Sequence, residues 1–131
     1  MNNVALACLI LCALPAKAAE PLGPADFSAH VMGQIFEFSI EGQIIGSEDY
    51  FSNRCVLWRY LDGACHYGVW YPIDGKICFE YEDLPGTQCW AFFLEDGDLT
   101  ALFASDPMEN GVYVARPSQV PLDCPGPLIG S

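Results

Sequence analysis

The chain predicts an all-β domain, an antiparallel meander of about seven strands that closes as a small barrel or stacks as a sandwich, preceded by one short helix. Three observations carry this. The pairs Asp62-Gly63, Asp74-Gly75, Pro85-Gly86, Asp96-Gly97 and Asn110-Gly111 fall 11–14 residues apart, a rhythm of strands joined by short turns. The segments between them alternate apolar and polar side chains, which puts one face inward and one outward. The length of 131 residues allows one domain.

The elements follow in order. Gly23-Pro24 opens and Met32-Gly33 closes a segment with Phe27 and Val31 on one face, so residues 24–32 read as a short helix. Asp26 in its first turn suits the helix dipole. From Gln34 the period changes to two, with Phe36, Phe38 and Ile40 sharing a face. Residues 55–60 form a strand with Val56, Trp58 and Tyr60 on one side. Residues 65–71 form the next. If Tyr67, Val69 and Tyr71 face inward there, His66 faces out with Gly68 and Trp70. Residues 76–82 place Ile77, Phe79 and Tyr81 inward and Glu80 and Glu82 outward. Residues 88–94 place Trp90, Phe92 and Leu94 together, and strands at 99–103 and 112–115 follow. The domain is expected to span 19–116. The segment 117–131 carries Pro117, Pro121, Pro125 and Pro127 and reads as an extended tail, since proline is excluded from central strands.

Ahead of the domain, Val4–Pro15 is an apolar run followed by Ala16-Lys17-Ala18. This reads as a secretory signal peptide over residues 1–18, cut between Ala18 and Ala19. A run of 12 residues is short of the roughly 20 a bilayer requires, so no membrane span is expected after cleavage. Cys8 and Cys12 are badly placed for lipid attachment. Export leaves four basic residues against 17 acidic ones, a net charge of −13 in place of −12. That sign argues against nucleic acid and anionic lipid as partners.

Five cysteines remain: Cys55, Cys65, Cys78, Cys89 and Cys124. In an exported chain they are disulfide candidates before they are metal ligands, and no C-x-x-C pair suggests zinc or a redox motif. A hairpin centred near residue 85 would set Tyr81 against Cys89 and Cys78 against Phe92. That offset is too great for a bond unless the loop at 82–88 is wide or bulged, and spacing alone leaves the connectivity open.

Gly-Val-Trp at 68–70, Cys-Phe-Glu-Tyr at 78–81 and Cys-Trp at 89–90 resemble a family of small secreted proteobacterial β domains of unknown function, over residues 24–104. The resemblance implies a cross-strand Cys78–Cys89 pair. Cys55 and Cys124 are extra to its pattern and are left to pair with each other, with Cys65 the odd one. It implies no activity.

No catalytic, cofactor-binding or metal-binding constellation is expected, and no cofactor. A catalytic His66 would need a carboxylate such as Glu48, Asp49 or Glu80 in reach, and an exposed strand histidine is the plainer account. His30 reads as a surface or boundary residue of the helix. Glu95-Asp96-Gly97-Asp98 lacks the ligand pattern of a calcium loop and reads as a solvated turn. Glu48, Asp49, Glu80, Glu82 and Asp83 are expected on an acidic outer face, with Arg59 paired to Glu80 or Glu82. The aromatic residues read first as core. In the alternative, Trp58, Tyr67, Phe79 and Trp90 line a cavity for an apolar ligand. The expected function is a non-enzymatic binding or interaction module whose partner is a protein or a small apolar molecule. A small apolar-ligand barrel and a structural envelope protein are the alternatives.

Overall fold

The computed structural model describes residues 9–14, 20–104 and 111–125. The expected cleavage site at Ala18 and Ala19 lies outside them. Eight antiparallel strands close into a barrel in chain order: β1 (Ile35–Ile40), β2 (Gln43–Tyr50), β3 (Cys55–Tyr60), β4 (Cys65–Ile73), β5 (Lys76–Tyr81), β6 (Gln88–Glu95), β7 (Asp98–Phe103) and β8 (Tyr113–Ser118). The eighth strand, beyond the expected count of about seven, is Gln43–Tyr50, a segment whose Gly46 interrupts the apolar-polar alternation. Glu41-Gly42 makes the tight turn into it, and both residues have positive φ (50° and 79°). Gly46 sits inside the strand because its bare Cα lies against the Trp58 indole. A bulge between Phe38 and Ser39 leaves Ile45 out of register and turns it inward.

β8 pairs with β1 and closes the barrel, with Pro117 opposite Phe36. The sheet thus runs into the segment expected to be tail. Proline is tolerated there because it stands one residue from the strand end, where few ladder bonds remain to be made.

A helix, α1 (Pro24–Val31), stops one residue short of the expected end. It closes the barrel end formed by the starts of the odd strands. Phe27 and Val31 are fully buried, and Phe27 touches the rings of Tyr50, Trp70 and Phe92 at centroid distances of 5.8, 5.0 and 4.6 Å. Backbone bonds fix the plug in place: Gly33 N–H donates to the Tyr50 carbonyl and Leu22 N–H to that of Phe92.

Cys78 and Cys89 lie directly opposite in the β5–β6 ladder and are bonded, the pairing that the resemblance implies. Pro85-Gly86 is not a tight turn; residues 82–87 form a wide loop, which supplies the register shift that an ideal hairpin lacks. Cys124 is bonded to Cys65, not to Cys55. The tail folds back along the outside of the barrel, burying Leu122 and reaching the start of β4, whereas Cys55 sits at the opposite end of β3 from Arg59, which pairs with Cys65. Cys55 is an exposed free thiol. Two disulfides point to an oxidising, extracytoplasmic compartment. Among the described residues no helix is long and apolar enough to cross a membrane.

Candidate functional site

The turns joining β1 to β2, β3 to β4 and β5 to β6 gather at the barrel end opposite the helix. Beneath them the described residues leave the interior unfilled. A chamber of about 200 Å³ lies between the strands, lined by Trp58, Tyr60, Phe79, Tyr81, Trp90 and Tyr113 with Glu48 among them. Phe38 packs edge-on to Trp58 (5.7 Å), Tyr81 stacks on Phe79 (6.4 Å) and Trp90 meets Tyr113 edge-on (4.9 Å). Tyr60 is 38% exposed and Gln88 is half-buried, so solvent reaches the chamber from this end.

Two glycines make room for the rings. A Cβ on Gly46 would stand 2.5 Å from the Trp58 ring and from the Arg59 carbonyl. A Cβ on Gly68 would collide with the Glu80 carbonyl and the Tyr81 ring. The aromatic walls therefore depend on missing side chains on the neighbouring strand.

Glu48 is the polar centre. In the ladder it lies between Phe36 and Trp58, both inward, so the pleat turns its carboxyl inward too. It is 3% exposed. The Tyr81 hydroxyl donates to its Oε2 at 2.7 Å. Burial pushes the carboxyl up to about 8, against the opposing pull of the Tyr81 hydrogen bond and of the nearby Tyr50 hydroxyl. The same burial, with the Glu48 charge beside them, pushes the phenols of Tyr81 and Tyr50 upward. The Tyr50 hydroxyl is buried and has no hydrogen-bond partner among the described residues. No Lys, Arg or His lines the chamber among those residues.

Trp58, Phe79 and Trp90 line the chamber as the ligand reading expects; Tyr67 does not. The face of β4 is the reverse of the one expected. His66 pairs with Trp58 and Gly68 with Val56, so His66, Gly68 and Trp70 point inward; Trp70 is buried and Val69 exposed. Tyr67 stands outside, its hydroxyl donating to the Pro125 carbonyl at 3.3 Å. The alternation of β4 is ambiguous because aromatic residues occupy both parities, and only pairing with β3 decides it.

Glu48 is likewise removed from the expected outer acidic face. Glu80, Glu82 and Asp83 remain exposed, and Glu80 accepts hydrogen bonds from Tyr71 and Thr87 at 2.8 Å each. The partner of His66 is Asp83, with Nδ1 2.8 Å from Oδ1, and not Glu48, Asp49 or Glu80. The His66 side chain is 13% exposed and meets Tyr60 edge-on, so it is a rim residue and not an exposed one. That hydrogen bond holds Asp83 below the usual carboxylate range. Cys65 beside His66 is consumed in a disulfide, and no hydroxyl or thiol is bonded to the ring among the described residues. Arg59 has no carboxylate partner among them; it lies on the outer face beneath the returning tail, beside Val120 and Leu122, with Nε buried and unbonded. His30 is half-buried on α1 against Phe36. Asp96-Gly97 is the two-residue turn between β6 and β7.

Glu48, Tyr60, Tyr81 and Tyr113 also line the chamber, beyond the residues that the sequence predicts. The signal was available for Glu48: it stands two residues from Tyr50 and two from Gly46, a spacing that shares one strand face. Comparison of the chain with protein-family models, with curated proteins and with solved structures finds no match.

Proposed function

We propose that the protein is a non-enzymatic binding barrel that takes a small ligand into its open end. The observation that supports this most directly is the aromatic chamber itself: one barrel end is plugged by α1, while at the other the described residues leave about 200 Å³ unfilled around a buried carboxyl. Interiors are ordinarily packed as densely as organic crystals, so a space of this size lined by rings stands out. An apolar cavity of about 150 Å³ is enough to hold benzene. The chamber therefore suits a ligand of one ring or one branched head group, below the range of about 300–1,000 Å³ that drug-sized molecules fill.

The setting is export. The leader expected over residues 1–18, cut after Ala18, delivers the chain to the periplasm or beyond, where both disulfides form. The resemblance to small secreted proteobacterial β domains agrees with this setting.

Titration of the purified, oxidised protein with toluene, indole and choline tests the reading. Trp58 and Trp90 line the chamber, so a bound ligand changes tryptophan emission saturably and raises the melting temperature. No saturable response to any of the three at millimolar concentration would sink the binding reading.

A further inference from the structure

We infer that the chamber's ligand is a small organic cation, held by the Glu48 carboxylate as counter-charge within a cage of Trp58, Tyr60, Tyr81 and Trp90. This rests on the binding reading above and names the class of ligand. A carboxyl on a barrel's inner face is costly unless something pairs with it, because burial removes the water that stabilises its charge. The structure places no Lys, Arg or His in the chamber wall among the described residues, so no protein cation answers it. The Tyr81 hydroxyl fixes the carboxyl through Oε2 without neutralising it. Nearby, the buried Tyr50 hydroxyl lies against the same carboxyl and, like that of Tyr81, brings it no positive charge.

The rest of the wall supplies ring faces. The faces of Trp and Tyr carry negative electrostatic potential and attract cations, and cages of such rings are the usual device for quaternary ammonium groups. The long-range field agrees, since a chain of net charge −12 draws cations to its surface and repels anions. A neutral ligand would use the rings but bring no counter-charge to the carboxylate. An anion would meet both the carboxylate and the ring faces unfavourably.

The matched probes are choline and 3,3-dimethyl-1-butanol, which share a shape and differ by the fixed charge. The titratable groups facing Glu48 are the phenols of Tyr50 on β2, Tyr60 on β3 and Tyr81 on β5, with Tyr113 of β8 across the chamber. His66, paired with Asp83, stands at the rim beside Tyr60. Below pH 8 the free protein holds a proton on Glu48 that choline must displace. Choline affinity therefore rises up to about tenfold per pH unit toward pH 8, with release of up to one proton, and levels off above it.

Calorimetry at pH 6, 7, 8 and 9 reads this directly in the oxidised wild type and in Glu48→Gln. At pH 8 and above, choline is expected to bind at least about tenfold more tightly than its isostere. Glu48→Gln should cut choline's advantage back to the part that the ring faces alone supply and abolish the pH dependence. Equal or tighter binding of the isostere by the wild type overturns the cation inference and leaves the binding barrel standing. A choline preference as large in Glu48→Gln as in the wild type, or a pH slope that survives the substitution, overturns the assignment to Glu48. If neither probe binds, the inference falls, and the titration with toluene and indole decides whether the binding reading falls with it.

Discussion

The two ends of the barrel are built from the same strands with the same alternation, yet one is core and the other a chamber. At the helical end, Tyr50, Trp70, Phe79 and Phe92 converge on Phe27, and every one of these rings is at most 4% exposed. At the open end, Trp58, Tyr60, Tyr81, Trp90 and Tyr113 converge on nothing the described chain supplies except Glu48. The strands contribute aromatic residues to both ends. What separates the ends is the helix: α1 inserts a side chain into one, and among the described residues the other receives none. An inward aromatic face on a strand thus says only that the position faces the interior, while the filling of that interior depends on what enters from outside the sheet.

The largest test of this contrast is the pH dependence of stability that Glu48 imposes. Its carboxyl titrates near the ordinary 4.5 in the unfolded chain and near 8 in the barrel. Below about 4.5 both states hold the proton and the group is neutral toward folding. Between the two values the folded chain keeps a proton that the unfolded chain has released, so stability falls as pH rises, by about 1.4 kcal/mol per unit at most. Above 8 the penalty is complete, on the order of 5 kcal/mol as an upper bound. Glu48→Gln removes the titration, so the variant's advantage over the wild type should grow from pH 5 to pH 8 in urea denaturation. Parallel pH profiles for the two proteins would mean that Glu48 is solvated, and the open end would lose its distinction as a low-dielectric chamber.

Phe27→Ala addresses the other end and should cost about 3–5 kcal/mol, the range for removing a fully packed phenylalanine ring. The ring is inaccessible to solvent and touches four aromatic neighbours. The loss should appear as a lower urea midpoint. A cost below about 1 kcal/mol would show that the plug is not what fills this end, and the contrast between the ends would collapse.

The fold was legible where a single local rule decides the outcome. Asp74-Gly75 and Asp96-Gly97 are two-residue turns with both residues at positive φ. Phe27 and Val31 share the buried face of the helix. Ile77, Phe79 and Tyr81 point inward as their alternation requires. Legibility failed where two rules compete or a distant segment decides. In β4, Tyr67 and Trp70 offer aromatic residues of both parities, and the choice is made by Val56 and Trp58 on the neighbouring strand. Cys65 meets Cys124 because the tail returns over the barrel, a path that no local spacing encodes. The charge of Glu48 predicts a surface position, although its two-residue distance from Tyr50 puts it on the inner face. A charge that breaks the polarity of its own strand face is a stronger pointer to a site than the aromatic residues around it.

The smallest effect, and the most local, is expected from Gly46→Ala. A methyl group there would meet the Trp58 ring and the Arg59 carbonyl at 2.5 Å, so either the indole moves into the chamber or β3 shifts outward. Overpacking of this kind costs about 1–3 kcal/mol. Gly46 lies at the open end, opposite Phe38 and Tyr60, and the atoms a methyl group there would meet belong to none of the ring partners of Phe27. The variant should therefore shift the Trp58 emission and weaken choline binding by about tenfold or more, since a displaced ring costs the cage both volume and a face. Its effect on stability should add to that of Phe27→Ala, because the two sites share no contact. Strong coupling between the two substitutions would show that plug and chamber form one packed unit, and only additivity within about 0.5 kcal/mol is consistent with two ends that behave differently because one is filled and the other is kept open.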